Sequence, residues 1–240
     1  MQKLWSIYTG HYCNNCGQPT ATHQLNSHFL WQEIRRSLLH FDIGILYSVK
    51  QLFTRPGHSI REFIEGKRVR HFKPISLVLL MATLYGFLYH YYNIRFSNTT
   101  SGTGVDSAEI NNWMGSHYAW VTLLTIPLYT IGTKIAFKKQ RYNLVEYFIL
   151  NTYIASQRLI VHIALFPLLY FYNGTSTMRT ITLIIYIIDT VFIFWVNGQF
   201  FNNLSLKRTF LLTLLGQLLF LISLTITILI SIFIYEAVIN

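Results

Sequence analysis

The run from residue 210 to residue 235 contains no charged side chain, and it constrains the fold of this chain more than any other feature. The hydrocarbon core of a bilayer is about 30 Å thick, and an α-helix needs roughly 20 apolar residues to cross it. Backbone amides inside lipid must be hydrogen-bonded within the protein, which excludes an isolated strand. The run is therefore predicted to be a membrane-spanning α-helix.

Four further stretches have the length and the apolar character of membrane spans, at residues 74–94, 119–137, 145–172 and 180–201. The composition agrees, because only 12% of the 240 residues are charged, about half of the share in an ordinary soluble domain. We therefore predict an all-α integral membrane protein with about five transmembrane helices in a bundle over residues 74–240. Pro127 and Pro167 are expected to kink the second and third spans.

Basic residues in the connections between the spans predict the orientation. Lys and Arg concentrate in the short cytoplasmic loops of membrane proteins. The connections at 95–118 and 173–179 carry one Arg each, whereas the other two are basic through Lys138, Lys139, Arg141, Lys207 and Arg208. We expect the N-terminus in the cytoplasm and the C-terminus on the outer side of the membrane.

The chain before the first span is predicted to be a basic, water-facing region in two parts, residues 1–25 and 26–73. Residues 1–73 hold ten Lys and Arg against four Asp and Glu. Apolar residues recur at mainly helical spacing over 26–53, and Gly44 is a candidate break. Such helices either lie on the inner membrane surface or pack their apolar face against the membrane helices. Both alternatives remain open.

A second helical signal lies closer to the first span. A turn at Arg55-Pro56-Gly57 and a capping box from Ser59 to Glu62 predict a short helix over 60–65, and Gly66 is expected to end it. The basic residues that follow would lie beside the inner leaflet, where anionic lipids attract each cation by about 1 kcal/mol. Lipid-headgroup binding and simple topogenic anchoring are the two interpretations of Lys67, Arg68, Arg70 and Lys73.

The two cysteines of the chain, Cys13 and Cys16, form a CxxC that is followed by glycine. This spacing can present two thiolates to one zinc ion, which takes four ligands in structural sites. No second CxxC is present, so nitrogen ligands would have to come from His11, His23 or His28. A zinc site within one chain, a site completed by another subunit, a redox pair and a knuckle without metal all remain open.

Ionisable residues inside the predicted spans form the second candidate site. Arg158 lies near the middle of the third span and Asp189 near the middle of the fourth. A charge at the bilayer centre costs about 2.5–3.5 kcal/mol on insertion scales, so we expect these two residues to pair. His162 is one turn from Arg158 on the same helix face. Hydrogen-bonding residues that could converge on this site are Asn151, Gln157, Asn197, Gln199 and Gln217.

Three segments of the chain together resemble domain of unknown function 3667, a family of bacterial membrane proteins common in Bacteroidetes and their relatives. They are residues 13–18 (CNNCGQ), residues 52–57 (LFTRPG) with 60–68 (IREFIEGKR), and residues 69–75 (VRHFKPI). The resemblance covers residues 11–90. It implies a multi-pass protein of the bacterial inner membrane with a periplasmic C-terminus, and it implies no reaction.

Two classes of function follow from these features. The first is a non-catalytic scaffold that binds membrane lipids, an unidentified protein partner or a second copy of itself. The second is a small transporter or channel that uses Arg158, His162 and Asp189. An enzyme is disfavoured because the spans offer no nucleophile–base pair and no metal cluster. Nucleic acid is not an expected partner, because the positive-inside pattern explains the net charge of +10.

Overall fold

The computed structural model describes residues 44–94 and 107–239, and every regular element in these ranges is an α-helix. The all-α fold class is therefore confirmed. In chain order the helices are α1 (Ile45–Thr54), α2 (Pro56–Ile64), α3 (Pro74–Tyr91), α4 (Ser107–Ala136), α5 (Leu144–Ala164), α6 (Phe166–Phe171), α7 (Thr177–Phe200) and α8 (Leu206–Ile239).

Four of the described helices are long and apolar enough to cross a membrane. They are α3, the Gly115–Ala136 part of α4, α7, and the Leu206–Ile234 part of α8. These helices correspond to the first, second, fourth and fifth predicted spans. Their apolar outer surfaces, which a soluble protein would have to bury, are suited to contact with lipid. α4 continues through Pro127 without interruption.

The third predicted span, 145–172, differs from the prediction because it is divided into α5 and α6. Leu165 separates the two helices, and Pro167 lies in the first turn of α6. Proline has no amide hydrogen and its ring clashes with the preceding turn, so a helix ends before it. α5 is the central helix of the bundle, in contact with α1, α2, α3, α4 and α7. By length and apolar character, the described helices therefore include four candidate spans and not the predicted five.

Helices α1 and α2 pack against the bundle, and residues 26–43 of the predicted helical segment lie outside the described residues. The Gln157 amide on α5 donates a hydrogen bond to the Leu52 carbonyl at 2.7 Å, and the Tyr153 hydroxyl donates to the Phe72 carbonyl at 2.7 Å. The side chains of Leu52 and Phe63 are 2% exposed. α1 begins directly after Gly44.

The predicted turn and capping box at residues 55–62 are wrong. Arg55 is the N-cap of α2 and Pro56 is its first residue, a position at which proline is favoured because no amide hydrogen is needed there. Ser59 therefore lies inside the helix, and Glu62 contacts Arg55 at 3.2 Å and Lys67 at 3.5 Å. Gly66, with φ of 112°, follows the end of α2 as predicted.

Candidate functional site

An ion pair between α5 and α7 lies inside the bundle. Nη2 of Arg158 donates a hydrogen bond to Oδ2 of Asp189 at 2.7 Å, and the two side chains are 20% and 3% exposed. Charge-assisted hydrogen bonds of this length are among the stronger ones in proteins. The structure thus brings together the two opposite charges that the sequence places in consecutive apolar segments.

His162 joins this pair through the same carboxylate. Its Nε2 lies 3.1 Å from both Oδ1 and Oδ2 of Asp189, and its side chain is 14% exposed. Arg158 and His162 are four residues apart on α5, so both project from one face of the helix. One carboxylate therefore accepts hydrogen bonds from a guanidinium and an imidazole. We call Arg158, His162 and Asp189 the intramembrane cluster, after the predicted spans in which these residues lie.

Two tyrosines have close ring contacts with the intramembrane cluster. The Arg158 guanidinium lies 5.7 Å from the ring centroid of Tyr129 on α4, and its Nη1 is 3.4 Å from the Tyr129 hydroxyl. The ring of Tyr85 on α3 lies 5.7 Å from the His162 ring. Sequence reasoning missed both tyrosines, because aromatic residues are common in membrane helices and no spacing distinguishes these two.

The five polar residues that were expected to converge on the cluster do not do so. Gln157 precedes Arg158 directly, and successive residues of a helix point about 100° apart, so it faces α1 instead. The others also have partners elsewhere in the bundle. The pairs are Asn151 with Tyr147 and Thr133, Asn197 with Thr213, Gln199 with Gly57, and Gln217 with Thr190.

The end of α1 reaches the same level of the bundle as the intramembrane cluster. The carbonyl of Leu52 is bonded to Gln157, the neighbour of Arg158. The ring of Phe53 lies 6.0 Å from that of Phe192, which is one helical turn from Asp189 on α7. The segment before the first span is therefore in contact with both helices that carry the cluster.

The candidate headgroup-binding residues lie in and around the connection between α2 and α3. Arg70 is exposed, and Lys67 is 48% exposed beside Glu62. Nε of Arg68 donates to the Phe63 carbonyl at 3.2 Å, and Lys73 is the partly buried N-cap of α3. Arg68 and Lys73 thus contribute to the local structure, whereas Arg70 extends from it.

His71 occupies the middle of this connection. Its Nε2 lies 2.9 Å from the hydroxyl of Ser59, while its Nδ1 is buried and has no hydrogen-bond partner among the described residues. Burial lowers the pKa of His71 below its ordinary value, against the opposing effect of the Glu62 carboxylate. The structure therefore favours the neutral imidazole.

Contacts between loops place three basic connections at one end of the bundle. Phe137 stacks on Phe201 at 4.2 Å, and Gln140 accepts a hydrogen bond from Asn203 at 3.0 Å. Arg61 of α2 donates to the Gln199 carbonyl near the end of α7. At the opposite end, Asn173 donates to the Asn93 carbonyl at 3.1 Å. We call the end of the bundle at which the three basic connections lie the basic end.

The candidate zinc ligands Cys13, Cys16, His11 and His23 lie outside the described residues, and a zinc site there stays a prediction. The same holds for His28. Within residues 44–94 and 107–239, no three His, Cys, Asp or Glu side chains are grouped so that they could hold a metal ion.

Comparisons with known proteins give one match. Residues 42–86 match the model of a family described as a protein of unknown function, DUF3667. No curated protein and no solved structure matches the chain. The matched residues include α1, α2, the connection with His71, and α3 as far as Gly86, which includes Tyr85. The match supports the resemblance to this family that residues 52–75 carry, and residues 13–18, the other segment of that resemblance, lie outside it.

Proposed function

We propose that this protein is a non-catalytic membrane scaffold that binds anionic lipid headgroups at its basic end. The observation that carries the proposal is the meeting of three basic connections at one end of the bundle. Their exposed cations, which come from segments far apart in the chain, are Lys67, Arg70, Lys138, Lys139, Arg141, Lys207 and Arg208. Together they form a positively charged rim around the apolar helices.

The charge balance at the basic end favours an anionic ligand. The described acidic residues there are Glu62, Glu65 and Glu146, and Glu62 is already in contact with Arg55 and Lys67. Glu146 bonds the amide of Asn143 in the cap of α5. Because few carboxylates oppose the rim, lipid phosphates in the adjacent leaflet are the nearest available counter-charges.

The same rim supports an orientation. Basic connections remain on the cytoplasmic side during insertion, which would place the basic end in the cytoplasm and the Asn93–Asn173 end outside. Together with the family resemblance, this supports a location in a bacterial inner membrane with the C-terminus in the periplasm. A protein partner or a second copy could bind at the same end.

The proposal is tested by the affinity of purified protein in zwitterionic detergent for fluorescently labelled phosphatidylglycerol, with labelled phosphatidylcholine for comparison. Arg70→Gln removes an exposed cation at the basic end, and Arg179→Gln removes an exposed cation at the opposite end. Each juxtamembrane cation contributes about 1 kcal/mol, so Arg70→Gln is expected to weaken phosphatidylglycerol binding about fivefold.

The control variant Arg179→Gln is expected to bind phosphatidylglycerol like the wild type. The triple variant Lys138→Gln/Lys139→Gln/Arg141→Gln should lose more affinity than Arg70→Gln. Equal affinity of the wild type for the two lipids, or equal losses at the two ends, would contradict the proposal.

A second candidate function is transport through the intramembrane cluster, and the observation that favours it is the titratable His162 on the Asp189 carboxylate. The double substitution Arg158→Leu/Asp189→Leu separates the two functions. A scaffold in which the pair is structural keeps its fold and its lipid binding, because both charges leave together. A transporter would remain folded but lose flux of its substrate in proteoliposomes.

A further inference from the structure

The intramembrane cluster contains the His162 imidazole, which is not required to neutralise the ion pair between Arg158 and Asp189. Arg158 and Asp189 have opposite charges at 2.7 Å, so the two side chains compensate each other without a third member. His162 nevertheless contacts both oxygens of the same carboxylate. Histidine is the side chain whose charge changes most readily near neutral pH, so its place beside a buried anion adds a capacity that the pair alone lacks.

We propose that His162 is a proton-binding site inside the helical bundle, in which the incoming proton binds Nδ1 while Nε2 keeps its hydrogen bond to Asp189. The proton comes from a hydronium ion: one O–H bond of the hydronium breaks, the N–H bond forms with the lone pair of Nδ1, and a water molecule is left. The inference goes beyond lipid binding, because it concerns other residues at another level of the protein.

The geometry at Asp189 identifies the nitrogen that takes up the proton. Nε2 lies 3.1 Å from both carboxylate oxygens, and an ionised carboxylate only accepts hydrogen bonds. Nε2 therefore carries a hydrogen in the neutral imidazole as well as in the cation. Nδ1 is then the free base of the neutral ring, and no hydrogen bond from another described residue reaches it.

The counter-charge for the protonated ring is already in place. After proton uptake the Asp189 carboxylate lies between two cations, each within hydrogen-bonding distance. Arg158 also has the face of Tyr129 at 5.7 Å, a favourable position for a guanidinium. Because Arg158 has this second stabilising contact, the carboxylate can share its negative charge with His162.

The groups that face His162 from the surrounding helices contain no second carboxylate in the described part of the chain. On α5 the neighbour is Arg158, and the other elements contribute hydroxyl groups besides Asp189. The titratable and charged side chains around the cluster are Tyr85 on α3, Tyr118 and Tyr129 on α4, and Asp189 and Tyr186 on α7. The proton-dependent change of charge in this region is thus assigned to His162.

The experiment uses the whole protein in nanodiscs with ¹⁵N-labelled histidine, observed by NMR between pH 4.5 and 9. The His162 signal is the one missing from His162→Gln, and His117→Gln, an exposed histidine of α4, removes a different signal as a control. The His162 signal is expected to show the Nε2–H tautomer at high pH and to change to the cation as the pH falls.

Two substitutions in the cluster test the role of the carboxylate. Asp189→Leu removes the acceptor for Nε2, so the share of the Nε2–H tautomer in the neutral ring should fall, whereas Arg158→Leu keeps the carboxylate and should keep this tautomer. A His162 signal that does not titrate, or that shows the Nδ1–H tautomer, would overturn the proposal. If either variant does not fold, the tautomer and the titration of the wild type still decide it.

Discussion

Asp189 holds two helices of this protein together through one side chain. Its carboxylate is 3% exposed and accepts hydrogen bonds from Arg158 and His162, both on α5. A buried charge that loses its partner is strongly destabilising, whereas the removal of both charges leaves an apolar contact. The stability of the α5–α7 contact therefore depends on the match of the two charges more than on either charge alone.

Arg158→Leu alone is expected to lower the free energy of unfolding by about 3–5 kcal/mol, because it leaves the buried Asp189 carboxylate without its guanidinium partner. The double variant Arg158→Leu/Asp189→Leu should recover most of this loss. Unfolding in mixed micelles with increasing denaturing detergent measures both. A double variant as unstable as the single variant would show that the pair does not act as a unit.

His71 makes the contact between α2 and the following connection sensitive to acid. Burial lowers the pKa of His71 in the folded protein, so the neutral ring is favoured by folding. The stabilisation is fully present above the unfolded pKa of about 6.5, and it is lost as the pH falls from there towards the lower folded value. The protection factors of the α2 amides, which are corrected for the intrinsic exchange rate at each pH, should fall between pH 7.5 and pH 5.

His71→Phe provides the control for that pH dependence. A phenyl ring can keep the edge contacts with Tyr47 at 5.3 Å and Phe63 at 6.0 Å, but it cannot take up a proton. Its loss of the hydrogen bond to Ser59 should raise exchange in α2 at all pH values. The change between pH 7.5 and pH 5 should become smaller than in the wild type, and an unchanged difference would assign the effect to another group.

At the scale of the helices, α2 depends on a close approach to α7. A Cβ atom at Gly57 would overlap the backbone of Val196 and Phe200. Gly57→Ala should therefore push α2 away from α7 and destabilise the contact by about 1–3 kcal/mol, the usual cost of overpacking. The measurement is hydrogen exchange of the α2 amides, or proteolysis between α2 and α3.

Gly198→Ala is the matched control on α7, because its Cβ would meet only the side-chain end of Leu206 at 4.0 Å. Alanine also has the higher helix propensity, so this variant should be as stable as the wild type or slightly more so. Equal behaviour of the two variants would contradict the packing of α2 on α7.

The helices differ in how well the sequence predicts them. Apolar length predicts α3, α7 and α8, because lipid allows few alternatives to a helix. Polar residues in α5 do not indicate an exposed loop, since their side chains bond to other helices rather than to water. The predicted capping box is wrong because Pro56 starts α2 earlier. The predicted convergence of the amide side chains is wrong because sequence order does not give the rotation of a helix about its axis.

At the scale of the whole molecule, the basic end and the Asn93–Asn173 end should lie on opposite sides of the membrane. In a background of Cys13→Ser/Cys16→Ser, Asn173→Cys and Ser205→Cys each introduce a single thiol in a connection between helices. An impermeant maleimide added to intact cells should label Asn173→Cys and should label Ser205→Cys only after lysis. The reverse pattern would invert the proposed orientation.

The distance between Arg158 and Asp189 along the chain has a consequence for biosynthesis. Thirty-one positions separate them, so α5 leaves the ribosome well before the anion that compensates its guanidinium. A lone arginine makes insertion of an isolated helix unfavourable. We therefore expect α5 to take its final place in the bundle only once α7 has been synthesised and Asp189 can pair with its guanidinium.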